Sequence, residues 1–167
     1  MSIATMFDGW PRIQDRLVRR LPMLGADELA MKAAPDSWPV WALVAHIAMV
    51  RVYWLCVVCK EPGLETTPFE DPSNDGWEDH LDQPRSADEL LVATESSWRL
   101  VESCLERWTP AMLGESFSRE RARVVEHHTR SSVLTRLVMH DSFHCGEVSL
   151  VLGMNGWQSM DPWEPLS

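Results

Sequence analysis

His140 and His144 stand four residues apart within SSVLTRLVMHDSFHCGEVSLVLG, residues 131–153. On a helix that spacing puts both imidazoles on one face with Cβ atoms about 5–6 Å apart, close enough to share one divalent ion. Val133, Leu137, His140, His144, Glu147 and Val151 follow 3- and 4-residue steps and make one stripe, flanked by Leu134, Val138, Cys145, Val148 and Leu152. Two histidines and a glutamate thus interrupt a core-facing surface. Ionisable groups placed there cost free energy unless they are partnered, and a shared cation is one way to partner them; hydrogen-bonded core imidazoles are the other. A third histidine, His46, lies on the apolar stripe Leu43, His46, Val50, Tyr53 and Val57 of an earlier segment. Three inward imidazoles with a fourth position left open are the arrangement of a catalytic rather than a structural metal site.

Glu147, one turn beyond His144, is the candidate proton-handling or ligand-orienting carboxylate, with a salt bridge to Arg12 or Arg51 as its alternative. Asp141 is a weaker candidate because it points about 100° away from His140. His80, His127 and His128 sit in polar surroundings and rank below the three. Cys56-x-x-Cys59 invites a redox reading, but it falls at the end of an apolar helix, whereas low-pKa thiols favour helix N-termini. With Cys104 and Cys145, these cysteines read as small buried hydrophobes.

The elements that must position these groups are helical. Asp8 is placed to cap a first helix reaching Leu21, with Pro11 in its first turn and Ile13, Leu17 and Leu21 on one face. Asp36-Ser37 precede Trp38-Pro39 and open a second helix that runs to about Lys60. That helix is apolar enough to raise the question of a membrane span, but His46 and Arg51 near its middle favour a buried bundle helix. Ser86-Ala-Asp-Glu89 is a capping box for a third helix, stopped by Thr109-Pro110. Thr129 or Ser131 caps the last helix.

Residues 61–84 form an acidic, proline-rich connection without Lys or Arg, either a crossover between parallel neighbours or a lid with a short helix near Trp77. Residues 112–130 are polar and carry Arg119, Arg121, Arg123 and Arg130, which read as a solvated strip pairing with that acidic connection. The tail after Gly153 folds back over the bundle. Thr135, Ser142 and Ser149 recur every seven residues, as a solvent-facing stripe or as a surface for a second subunit. Four long amphipathic segments without an alternating strand pattern predict an all-α bundle in one domain, residues 1–167.

Fifteen Lys plus Arg against 25 Asp plus Glu give a net charge of −10, which disfavours nucleic acid and anionic membrane as partners. A small molecule or a second copy of the chain is expected instead. The N-terminal stretch lacks the pattern of a secretory signal, so a cytoplasmic protein is expected.

Two stretches carry a resemblance. ADELAMKAAPDSWPVWALVAHIAMVRVYW resembles the second-helix region of the DinB/YfiT-like superfamily, and LVMHDSFHCGEVSLVLGMNGW resembles its closing helix. The resemblance implies a four-helix bundle of up-down-down-up topology, with residues 61–84 as the long crossover between helices 2 and 3. It implies a divalent metal, commonly zinc or nickel, held by His46, His140 and His144. It further implies a homodimer and, among characterised relatives, S-transferases and isomerases that use a low-molecular-weight thiol. The expectation is a metal-dependent thiol transferase or hydrolase-like enzyme; a non-catalytic metal-binding stress protein acting through an interface is the alternative.

Overall fold

A computed structural model describes residues 2–163, and its elements follow the start and stop signals of the chain closely. Helix α1, Trp10–Arg20, carries Pro11 in its first turn, where a missing N–H costs nothing. It begins behind Gly9 rather than Asp8, and no side chain caps it. A short helix α2, Ala26–Leu29, leads to α3, Val40–Val52, whose N-terminal boundary is Pro39. The Asp36-Ser37 signal is therefore displaced, because residues 32 and 39 pair as an isolated bridge and the Val40 N–H donates to the Met31 carbonyl at 2.9 Å. The last turns of the apolar segment, Tyr53–Val58, widen into a π-helix, and Lys60, two residues beyond it, is a non-glycine residue at φ 59°.

The capping box at residue 86 forms as read. Ser86 N–H donates to Glu89 Oε2 at 2.9 Å and Glu89 N–H donates to Ser86 Oγ at 3.3 Å, opening α4, Ala87–Arg107. Thr129 caps α5, Arg130–Met154, by accepting from the Ser132 N–H at 3.2 Å.

Residues 116–129 depart from the all-α expectation. They form an antiparallel hairpin, β1 Ser116–Arg121 and β2 Val124–Thr129, closed by Ala122 and Arg123 at φ 49° and 66°. A two-residue hairpin turn of this hand needs positive φ at both positions and usually announces itself with Asn-Gly. Here neither residue favours that conformation, and both strand faces are largely solvated, so no apolar alternation marks the strands. The fold is mainly helical with this one small sheet.

The solvated-strip reading holds for the exposed Arg121 and Arg123, and the pairing with the acidic connection is made by Arg130, through Glu61, whereas Arg119 and Arg130 are not solvated. Arg130 is buried and pairs with Glu61 Oε1 and, at 3.0 Å, with Glu115. Arg107 donates to Glu61 Oε2 at 2.7 Å, and the Trp108 indole donates to Glu61 Oε1 at 3.1 Å. Glu61 thereby ties the exit of α3 to the end of α4 and the start of α5. Arg119 pairs within the hairpin with Glu126 and donates to the Tyr53 hydroxyl at 3.0 Å, while Arg119 and Arg136 both lie over the Trp54 ring, at 4.4 and 4.7 Å.

α3 packs against both α4 and α5, and α1 closes the other side against the same two helices. The core runs through Trp10, Ile47, Leu55, Trp108, Leu134 and Leu137, each at most 2 % exposed. Burying such side chains contributes about 1.5–3 kcal/mol each. The one stretch among the described residues long and apolar enough to cross a membrane, Val40–Val58, is mostly buried inside this core. The tail folds back as expected as far as it is described: Met160 is buried and its N–H donates to Ser149 Oγ at 2.9 Å. Its last four residues lie outside the described residues.

Candidate metal centre

Apolar packing of α3 on α5 sets the register that brings His46 opposite His140 and His144. The three rings converge with centroids 4.4–5.0 Å apart, and one nitrogen from each lies within 4.8 Å of the others. The closest approach is 3.0 Å, between the Nε2 atoms of His46 and His140. All three side chains are partly buried, between 14 % and 20 % exposed, so the cluster sits at the floor of an opening rather than sealed in the core.

Each ring has a carboxylate behind it. His46 donates from Nδ1 to Glu78 Oε1 at 2.6 Å, and His144 donates from Nδ1 to Glu147 Oε2 at 2.6 Å. These bonds assign the Nδ1–H tautomer to both histidines and leave Nε2 of each unprotonated, that of His46 facing His140 Nε2. Behind His140, the nearest acidic oxygen is Asp141 Oδ1, 3.9 Å from Nδ1. Both of those atoms are buried and lack a hydrogen-bond partner.

Glu78 was not singled out in the sequence. It comes from the acidic connection, in the short 3₁₀ turn Trp77–Asp79, and is itself buried. The turn is held by the Gly76 N–H donating to Asp79 Oδ2 at 2.9 Å. Gly76 is required for a steric reason: a Cβ there would fall 2.6 Å from Glu78 Oε2. A short helix near Trp77, part of one of the two readings of this connection, is thus present, and it brings a carboxylate to His46.

Asp141 has a larger role than its angular offset suggested. It is fully buried and accepts from the Trp10 indole at 2.7 Å and from Arg51 Nε at 2.9 Å. Arg51, also fully buried, donates in turn to Gln14 Oε1 at 2.8 Å. Burial alone pushes the Asp141 carboxyl up, but the Arg51 guanidinium and the hydrogen bonds outweigh it and hold the group below the usual carboxylate range. Arg51 is therefore committed to Asp141 and Gln14, Arg12 stacks on Trp163, and Glu147 pairs with His144 instead of either arginine.

Electrostatics favour a neutral His144. Burial, followed by the facing His140, pushes His144 below the ordinary imidazole range, which keeps its lone pair available near neutral pH. The remaining histidines stay away from the cluster: His80 pairs with Asp75, and His128 lies against Trp54 and Glu126. No disulfide joins Cys56 and Cys59, and burial drives their thiols up to about 11 and about 12. Thiols so protonated are poor nucleophiles, and the packing role stands.

Three converging imidazoles, two of them with a carboxylate bonded to the outer nitrogen, are the donor set of a divalent-metal site. The residues present fit such an ion. No curated protein matches the chain. Residues 10–148, a span that includes His46, His140 and His144, match the DinB superfamily, and the chain belongs to that superfamily.

Proposed function

We propose that this protein is a divalent-metal-dependent enzyme of thiol S-transferase or hydrolase-like type, a single bundle domain of up-down-down-up topology with zinc or nickel held by His46, His140 and His144. The observation that carries the reading is the pairing of two of these ring nitrogens with carboxylates at 2.6 Å while the opposite nitrogens face one another. The chemistry a divalent cation supplies at such a site is acidification of a water or a low-molecular-weight thiol near neutral pH.

The chain's own residues provide the rest. Glu78 and Glu147 hold the Nδ1 protons and so fix the ring orientations. Glu147 Oε1 makes no hydrogen bond among the described residues and borders an open cavity, which suits it to accept the proton a nucleophile gives up. Asp141 and Arg51 form a buried, mutually neutralising pair behind His140, so a carboxylate sits beside the cluster without a net buried charge. The competing reading, a metal-binding stress protein that acts only through an interface, needs no reachable face at the cluster; the cavity bordered by His144 favours the enzyme. We also propose that two copies pair through α5.

Metal analysis of tag-free protein tests the reading. About one equivalent of zinc or nickel per chain is expected after incubation and desalting, with loss of that metal in His144→Ala. A wild-type content far below one equivalent removes the proposal. For the reaction itself, electrophile conjugation measured with each low-molecular-weight thiol is expected to fall at least about a hundredfold in His144→Ala, and equal rates would take the cluster out of the chemistry.

A further inference from the structure

The cavity that adjoins the cluster has a distinct chemical character. It encloses about 390 Å³, within the range of small-molecule sites, and His144 and Glu147 form part of its wall. Trp38, Leu43 and Val151 supply apolar surface, and Asp36 supplies a second carboxylate at the mouth. Trp38 also packs on the His46 ring, with centroids 4.9 Å apart, so the indole spans the boundary between cavity and cluster. No Lys or Arg lines the cavity. Asp36 has no ion pair among the described residues, and Glu147 spends only one oxygen, on His144.

We propose that this cavity receives the organic part of the substrate as an apolar body bearing a cationic group, an amine or ammonium, and that it discriminates against carboxylates. The proposal rests on reading His144 as part of the working site and adds to it the charge class of the substrate. The indole face attracts a cation and also covers an apolar body. Asp36 and the second Glu147 oxygen provide negative charge at the cavity wall with no lining Lys or Arg to offset it, which disfavours an anion there relative to a cation. Arg119 and Arg136 are gathered over Trp54, eight residues along the helix from His46, Arg51 is committed to Asp141, and none of the three lines this cavity.

Calorimetric titration of zinc-incubated full-length protein with 2-phenylethylamine, 2-phenylethanol and 3-phenylpropionate tests the proposal, with metal content measured on the same samples. The amine is expected to bind at least about tenfold more tightly than the carboxylate, with the alcohol between them. Asp36→Asn, an exposed position that touches no histidine, should narrow that ratio several-fold while leaving metal content unchanged. Trp38→Leu should weaken the amine most. Carboxylate binding as tight as amine binding, or a preference indifferent to both substitutions, overturns the proposal. Absent metal with the amine preference intact would defeat the metal reading alone, whereas full metal content without the preference would defeat only the cavity assignment.

Discussion

Glu78 is where a single side chain decides most about the cluster. Its carboxylate is buried, it receives the His46 Nδ1 proton at 2.6 Å, and its other oxygen has no hydrogen-bond partner. Loss of such an outer partner typically costs about 10–100-fold in metal affinity. Competition titration with a chelating dye should show that loss in Glu78→Ala. Glu78→Gln, which can still accept the proton, should retain more affinity than the alanine variant. Equal zinc affinity in all three proteins would show that His46 needs no carboxylate to hold its tautomer. Gly76→Ala should reproduce part of the loss by pushing Glu78 aside, although residue 76 touches no histidine. His140 and His144 were legible in the sequence because ionisable residues at helical spacing interrupt an apolar face. Glu78 was not, because a lone glutamate in an acidic, proline-rich connection looks like every solvated carboxylate around it. Asp141 stood in view but was discounted on helical angle, since nothing in one sequence reveals that Arg51, ninety residues earlier, is its partner.

Among the elements, the junction at Glu61 and the hairpin show how the site's scaffold is tuned. Burial pushes the Glu61 carboxyl up, but hydrogen bonds from Arg107 and Arg130 overcome this and hold it below its ordinary value. A carboxyl depressed in the folded state adds stability that is present above its unfolded pKa, about 4.3, and disappears as pH falls through the folded value. Glu61→Gln should therefore lower stability at pH 7 by about 3 kcal/mol, as expected when a buried pair loses one partner. Denaturant melts of the two proteins should converge as pH drops below about 4. A gap that stays constant from pH 7 to pH 3 would mean that the charge on Glu61 contributes nothing. In the hairpin, Arg123 occupies a left-handed conformation that costs an L-residue about 1 kcal/mol. Arg123→Gly should raise the thermal midpoint slightly, and a fall would show that the arginine side chain has a stabilising contact that outweighs the backbone. These details also mark what sequence reading reached. Capping boxes at Ser86 and periodic apolar stripes located the long helices to within a few residues. The hairpin escaped because its turn lacks Asn or Gly and its strands lack a buried face.

At the level of the whole molecule, α5 has a second face that the monomer leaves uncovered. Met139, Phe143, Leu150 and Met154 are each more than 60 % exposed, and Gly146 lies between them with open space above it. From Leu137 to Met154 the acidic groups are the buried Asp141 and Glu147, which borders this face and pairs with His144. The four apolar positions are symmetric about the point between residues 146 and 147. Two α5 helices crossing antiparallel there would place Met139 against the other copy's Met154 and Phe143 against its Leu150, as a two-fold interface requires. The row extends about 22 Å along the helix, and Gly146 at its centre permits close backbone approach. Sedimentation should accordingly give twice the 19.1 kDa chain mass for the wild type. Gly146→Arg separates interface from fold, because a Cβ there meets nothing within 4 Å in the monomer and the substitution removes an unfavourable mid-helix glycine. That variant should sediment as a monomer with helical content retained; a wild type that is monomeric at micromolar concentration, or a Gly146→Arg protein that remains dimeric, would leave this face of α5 exposed for some other reason.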